Sequence, residues 1–494
     1  MSRLIIFIVF VSVVTSLYIS LRYNGLVNNI KVPQTNLDIR NNLVASNGGG
    51  SATSGKLFNG LKVESFLLPR KFDTINHNTE ISVVEPYHDS LLCEKWSVVT
   101  TIFEPSDAVK KQALLSNWCL VVVGDKKGPL SYDIETKPNS YMFLNATLQE
   151  TMGKSFPLVH VLPWNHFGRK NVGYLYAILH GAKAIWDFDD DNGLISNDHM
   201  LKVPGVSTNK KWKYRRNKRH LIVSNEIDVV NKSSSNTSTG IKNSKSKKND
   251  ISMQEIDESS YEITECYVET NSFNPYPLMG APFLPSWPRG FPLSHIKNNH
   301  SYATKVKKIP AKEVGIIQSL ANHDPDVDAI YRLTQPIPFD FPSTGKPVVV
   351  PKNSYAPYNA QATLHTYDAL WSLLLPVTVH GRVSDIWRGY ITQRLFRDIG
   401  LRLVFSPSTV IQDRNVHNYL ADFNSENDLY ERSLKLIEQL QEWPLLSKDL
   451  PGRIEELWIL MFEHGYLKID DVIMVQAWLS SLLSAGYKFP EVLK

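Results

Sequence analysis

The feature that most constrains this 494-residue chain is an alternation of apolar strands and short helices that ends on a run of acids. Trp96-Ser-Val-Val-Thr-Thr-Ile102 is a β-branched run closed by a Pro-containing loop. Asp107 to Asn117 reads as a short helix, and Leu120-Val-Val-Val-Gly124 as a second buried strand. A helix between two apolar strands is the mark of a parallel sheet, because a crossover must return the chain to the starting edge. Tyr141 to Leu144 is expected to add another strand. Arg169 to Ala182 reads as a helix, with Val172, Leu175, Ile178 and Leu179 on one face and Gly181 near its end. Ala184-Ile185-Trp186 then leads out as a strand, and Asp187-Phe188-Asp189-Asp190-Asp191-Asn192 sits at its carboxyl end.

That position gives the acids their interest. Open α/β sheets bind ligands beyond the carboxyl ends of their strands. Alternation along an extended chain places Asp187 and Asp189 on one side and Phe188 on the other. Carboxylates crowded at one point repel each other unless a cation neutralises them. Hard divalent cations with oxygen ligands, Mn²⁺ or Mg²⁺, suit such a set and commonly arrive on a diphosphate, whose departure they assist as Lewis acids. Asp187, Asp189, Asp190 and Asp191 are therefore candidate metal ligands. The competing reading is an acidic loop that caps the turn at Gly193. A phosphatase of the aspartyl-phosphate type would want its Asp-x-Asp after the first strand. The Walker loop of an NTPase is absent.

Other residues extend the candidate site. Arg169 and Lys170 begin the helix before the acidic strand, where cations oppose the helix dipole and call for an anion such as a nucleotide phosphate or a neighbouring carboxylate. Asn171 is a candidate contact to a base or ribose. Ser384-Asp385-Ile-Trp387-Arg388-Gly-Tyr390 gathers an acid, a cation and aromatics at one helix start. Asp385 is expected to act as the base that activates an acceptor, which would make the reaction inverting. Trp387 is expected as a sugar-stacking face, with Arg388 beside it. The alternative for Asp385 is a dipole-stabilising acid. His417, in Gln412-Asp413-Arg414-Asn415-Val416-His417, is either a metal ligand or a satisfied polar residue. Asp324 and Asp326 flank Pro325 and are expected in a turn.

Around this body the chain divides readily. Leu4 to Leu21 carries no charge and is bracketed by Arg3 and Arg22. At helical rise it spans about 27 Å, enough for a thin bilayer. It reads as a signal anchor over residues 1–22, with a cleaved signal peptide as the competing reading. Residues 23–90, rich in Asn, Ser and Gly, read as a flexible lumenal stem. The sequons at Asn145, Asn231, Asn236 and Asn299 all follow the apolar span, which leans toward a lumenal, glycosylated body. Three cysteines exclude a disulfide scaffold and fit no zinc site, and Cys93 and Cys119 are open to pairing or to a reduced, buried state. A net charge of +4 predicts no nucleic-acid partner. The basic run from Lys210 to Arg219 and the Ser/Asn/Lys tract after it read as a solvated, disordered insertion over about 205–265.

Structure is expected to resume by Asn274. Val314 to Asn322 reads as a helix, Asp328 to Leu333 as a strand and Thr363 to Leu374 as a helix. A longer helix capped by Ser384 runs to Ile399, where Gly400 ends it. From Leu429 the chain is expected to be helical. Leu434, Ile437 and Leu440 form one core stripe, and Leu457, Trp458 and Met461 another. The domain plan is an α/β body over 91–425 and a helical region over 426–494.

Several of these segments together resemble the STELLO-like glycosyltransferases. They are Arg169-Lys-Asn-Val-Gly-Tyr-Leu-Tyr-Ala-Ile178, His180-Gly-Ala182, the acid string, Trp287-Pro-Arg-Gly-Phe-Pro-Leu293 and Asp324-Pro-Asp-Val-Asp-Ala-Ile-Tyr-Arg332. Leu374-Leu-Pro-Val-Thr378, Asp385-Ile-Trp-Arg-Gly-Tyr390 and Arg414-Asn-Val-His-Asn-Tyr-Leu420 continue the match. The resemblance is collinear over roughly residues 94 to 443. It implies a type II Golgi membrane protein whose lumenal domain has a GT-A-like, Rossmann-like mixed sheet flanked by helices. It carries Asp189 and Asp191 as the metal-facing acids and Arg169 as a nucleotide-side residue. The partners it implies are a nucleotide-sugar donor, a glycan or glycoprotein acceptor, the membrane and other Golgi enzymes. A non-catalytic Golgi protein of the same fold, organising other enzymes through its helical C-terminus, is the rival reading.

Overall fold

The computed structural model describes residues 91–195, 260–268, 270–298, 302–414 and 418–493, and the backbone of the short antiparallel pair Leu57–Phe58 and Leu61–Lys62. That pair apart, the expected anchor and stem, the basic run and the sequons at Asn231, Asn236 and Asn299 lie outside the described residues. So does His417. Among the described residues no helix is long and apolar enough to cross a membrane.

The body is one mixed sheet of 11 strands with helices on both faces. Its first half follows the expected alternation: β1 (Lys95–Thr100), α1 (Asp107–Ala113), β2 (Cys119–Val123), β3 (Tyr141–Leu144), α2 (Ala146–Gly153), α3 (Pro157–Val161), α4 (Lys170–Leu179) and β4 (Ala184–Asp187). These four strands are parallel in the order β3-β2-β1-β4. After β2 and β3 the chain crosses back to the other side of β1, so a crevice opens between β1 and β4 at their carboxyl ends. The acid string starts there.

The second half is β5 (Asn192–Leu194), β6 (Ser260–Tyr267), β7 (Ala303–Pro310), β8 (Val314–His323), α5 (Ala329–Thr334), β9 (Val348–Val349), β10 (Thr363–Thr366), α6 (Gly381–Ile399) and β11 (Arg402–Gln412). The sheet continues from β4 as β10-β8-β11-β9-β6-β7, and β5 pairs with β11. β10 runs antiparallel to both β4 and β8, and β11 is parallel to β8. The carboxyl ends of β4, β8 and β11 therefore share one edge with those of β1 and β2.

Three expected elements differ. Val314 to Asn322 is a central strand: eight consecutive residues, Val314 to Ala321, are buried, so no alternation shows in the sequence. Asp328 caps a helix, its carboxylate accepting the Tyr331 amide at 2.8 Å, where a strand was expected. Thr363 to Leu374 divides into strand β10 and a 3₁₀ turn over Tyr367–Leu373. The long helix starts at Gly381 with His380 as its cap, and Ser384 instead donates to the Pro376 carbonyl at 2.6 Å. Gly400 ends that helix at φ 76°. β6 begins at Ser260, pairing with Pro310, so ordered chain resumes before Asn274.

α7 (Tyr419–Ser425), α8 (Asn427–Glu442), α9 (Leu450–Glu463) and α10 (Ile469–Ser484) complete the chain. Leu457, Trp458 and Met461 are buried as core, as are Ile437 and Leu440, while Leu436 takes the interior place expected for Leu434. Cys93 and Cys119 form a disulfide across β1 and β2, with Cα atoms 6.2 Å apart, inside the range such a bridge needs.

Trp186 and Phe188 face the core under α1, while Asp187 faces α4 and α6. Close packing of α4 depends on Gly173, where a Cβ would stand 2.6 Å from Val123 and 2.7 Å from Val98. Gly173→Val should therefore lower stability by about 1–3 kcal/mol through overpacking. Gly381→Ala, whose Cβ meets nothing within 4 Å, should melt at or above the wild-type temperature. Equal melting temperatures for the Gly173 variant and the parent would refute this packing.

Candidate functional site

The acid string divides its work among its residues. Asp187 is fully buried, and its two oxygens meet Lys170 Nζ at 2.6 Å and Arg388 Nη1 at 3.2 Å. Lys170 also donates to the Phe188 carbonyl at 2.8 Å, the Ala360 carbonyl at 2.9 Å and Asp189 Oδ1 at 3.0 Å. Asp187 and Asp189 thus share a side, as alternation requires, and both reach the same ammonium. Burial opposes the charge on Lys170, but Asp187 and Asp189 outweigh it and hold its pKa above the ordinary value.

Asp190 is a clasp. Its carboxylate accepts from the Thr101 hydroxyl and its carbonyl from the Ser106 hydroxyl. Thr101 Oγ1 also accepts the Phe103 amide at 3.0 Å, so the loop after β1 is fastened at both ends to the string. Asp191 Oδ2 accepts from Gln412 Nε2 at 3.2 Å, and Gln412 in turn accepts from Gln361 at 3.0 Å.

Asp189 and Asp191 are left partly exposed just beyond the end of β4. The Asp189 side chain is 36% exposed and uses one oxygen on Lys170. Burial raises its pKa to about 7, against the pull of Lys170 and with help from Asp191 and Asp187. Burial raises Asp191 as well, opposed by Gln412 and Arg414. Two partly buried, incompletely neutralised carboxylates are what one hard cation needs from a protein when phosphate and water supply its other ligands. Among the described residues no group of three or more His, Cys, Asp or Glu side chains is placed to hold a metal ion.

The residues expected beside the string are occupied with the fold. Arg169 is buried: its guanidinium donates to Gln149 and to the Val159 and Leu162 carbonyls and stacks on Trp164 at 3.9 Å. It has no free face for a nucleotide. Lys170, enclosed by its four oxygens, has none either. Asn171 exchanges both side-chain bonds with Leu375, at 3.0 and 2.9 Å. Trp387 is fully buried, edge-on to Tyr466 at 5.1 Å, so it offers no surface to a sugar. Arg388 is buried on Asp187 and on the carbonyls of Leu373 and Asn359.

Asp385 is corrected from base to strut. Arg289 grips both its oxygens at 3.0 and 2.9 Å, and Oδ2 also accepts the Ala360 amide at 3.1 Å. Oδ1 accepts the Ile386 amide as well, at 2.9 Å, so all four acceptor positions of this buried carboxylate are taken and none is left for an acceptor's proton; the inverting outcome expected through it finds no base here. Arg289 continues to Asp326 at 2.8 Å, whose pKa falls to about 2 because Arg289 outweighs burial. Asp326 is thus an interior ion-pair member beyond its expected turn. The backbone of Ala360 joins the two charge clusters: its carbonyl accepts from Lys170 and its N–H donates to Asp385. Nothing in the sequence marks that residue. Arg289 was visible only inside the Trp287–Leu293 motif, and Thr101 only as the end of a strand.

Comparison with known proteins places similar chains among glycosyltransferases. A family model described as STELLO glycosyltransferases matches residues 382–494. The chain is 29% identical over 411 residues to the probable glycosyltransferase STELLO2 of Arabidopsis thaliana, covering 82% of this chain and 46% of the relative. It is 28% identical over 407 residues to the probable glycosyltransferase STELLO1 of the same plant, covering 81% and 46%. The chain is therefore similar to the STELLO proteins over most of its length. It spans less than half the length of either relative.

In this body His365 lies on β10, fully buried, with its pKa pushed well below the ordinary value by burial and then by Arg388 and Lys170. The folded form thus resists the proton that the unfolded chain accepts below about pH 6.5. The stability it contributes is present above that pH and is lost as pH falls, at up to about 1.4 kcal/mol per unit. His365→Phe should flatten the fall in chemical-denaturation midpoint between pH 7 and 5, and an unchanged slope would place the acid sensitivity elsewhere. Asp385→Ala should cost about 3–5 kcal/mol, because it leaves a buried guanidinium under-paired. A variant as stable as the parent would return Asp385 to the catalytic candidates.

Proposed function

We propose that the chain is a Golgi type II membrane glycosyltransferase that moves a sugar from a nucleotide-diphospho-sugar to a glycan or glycoprotein, with Mn²⁺ or Mg²⁺ on Asp189 and Asp191. One observation carries this reading: two desolvated acids, each with oxygen capacity to spare, stand at the carboxyl end of β4 beside the β1/β4 crevice. The similarity to glycosyltransferases supports the reaction class. The Cys93–Cys119 disulfide suits an oxidising lumen.

When bound, the cation supplies Lewis acidity to the departing diphosphate. The chain's own residues prepare for that event. Lys170 and Gln412 fix the two acids from either side, so no side chain needs reordering when the donor arrives. Asp190 keeps the Thr101–Ser106 loop against the string, setting one wall of the crevice.

A second reading, a non-catalytic organiser of other Golgi enzymes, draws on the internal neutralisation of Asp187 by Lys170 and Arg388, which lets the string persist as architecture. Asp189→Ala with Asp191→Ala separates the two. Under the transferase reading, Mn²⁺-dependent binding of a nucleotide-sugar, measured by calorimetry across UDP- and GDP-sugars, falls at least 100-fold while the melting temperature holds within a few degrees. Full cellular rescue by that double variant, with no donor bound by either form, would establish the organiser.

A further inference from the structure

We infer that Lys170 is a positioning residue of the proposed donor site: the chain's own resident cation, which pre-shapes the acid string and keeps all but one exchangeable metal ion out of it. This rests on the reading of Asp189 and Asp191 given above.

The ammonium sits where a metal ion would sit. Four oxygens surround Lys170 Nζ: Asp187 Oδ1 at 2.6 Å, the Phe188 carbonyl at 2.8 Å, the Ala360 carbonyl at 2.9 Å and Asp189 Oδ1 at 3.0 Å. Two carboxylates and two carbonyls are the donor chemistry of a hard cation. The side chain is fully buried, so the ammonium cannot be exchanged for a hydrated ion without vacating the cage. Asp187 is neutralised a second time by Arg388, and that leaves Asp189 and Asp191 as the acids with capacity toward solvent.

Two consequences follow from a fixed positive charge on one oxygen of Asp189. It orients the carboxylate, so that the other oxygen is the one presented to the crevice. It also repels a divalent ion, so the ion is held loosely until a diphosphate adds its own negative charge. A site built this way loads metal and donor together.

Lys170→Met removes the charge and keeps the apolar stem. Asp187 remains paired with Arg388, so no buried acid is stranded. Lys170→Gln removes the charge but keeps a donor, as a second variant should Met fold poorly. The full chain in detergent is titrated with Mn²⁺ alone, free ion being read by its electron paramagnetic resonance signal, and donor turnover is followed in parallel.

The inference predicts opposite signs. Mn²⁺ should bind the variants at least tenfold more tightly than the wild type in the absence of nucleotide, while kcat falls at least tenfold. Lys170→Arg should restore the weak metal affinity. A purely structural lysine would weaken both together, and that result, or an unchanged Mn²⁺ affinity in both variants, overturns the inference alone. A wild type that binds no Mn²⁺ with any nucleotide-sugar removes the underlying reading as well.

Discussion

A carboxylate buried at the tip of an interior strand must be neutralised, and here the chain does it with its own side chains. Asp187 lies between the Lys170 ammonium of α4 and the Arg388 guanidinium of α6. Each contact ties a helix to the end of β4, so the register of two helices on the sheet and the path of the acid string are set by one charge. Buried ion pairs add little net stability once desolvation is counted, but removing one member is costly. Their effect here is to specify a single arrangement of α4, α6 and β4. The backbone of Ala360 extends the arrangement to Asp385, Arg289 and Asp326, its carbonyl on Lys170 and its N–H on Asp385.

Around that neutralised centre the remaining acids are free to differ. Asp190 fastens the loop after β1, whereas Asp189 and Asp191 are held by one oxygen or by neutral amides and stay partly exposed. The idea that crowded acids require a bound metal is thus too simple for this string, since half of its charge is already answered from within. What supports a metal at Asp189 and Asp191 is narrower: burial raises both acids, and the donors around them do not fully compensate.

The sequence was most legible where local pattern and burial agree. β1, β2, β3 and β4 lie within a residue or two of expectation, α1 starts at Asp107 as expected but ends at Ala113 instead of Asn117, and Gly400 ends α6 as a left-handed cap should. It was least legible at β8, whose unbroken burial erases the two-residue period, and at β10, where a four-residue strand runs directly into a 3₁₀ turn. The acid string stood out because a hydrophobic strand precedes it. Arg169, Asn171 and Trp387 were read as surface chemistry because a sequence shows residue type and not the partner that consumes it. Gln149, Leu375 and Tyr466 are those partners, 20 to 204 residues away in the chain for the first two and beyond any periodicity.

The most direct test is to locate the cation. Crystals of the chain with Mn²⁺ and UDP would be measured at the manganese absorption edge for an anomalous peak. This account expects one peak, about 2.1 Å from oxygens of Asp189 and Asp191, with Lys170 still seated on Asp187. A peak on Asp187 with the lysine swung away, or no peak near the string at all, would contradict it.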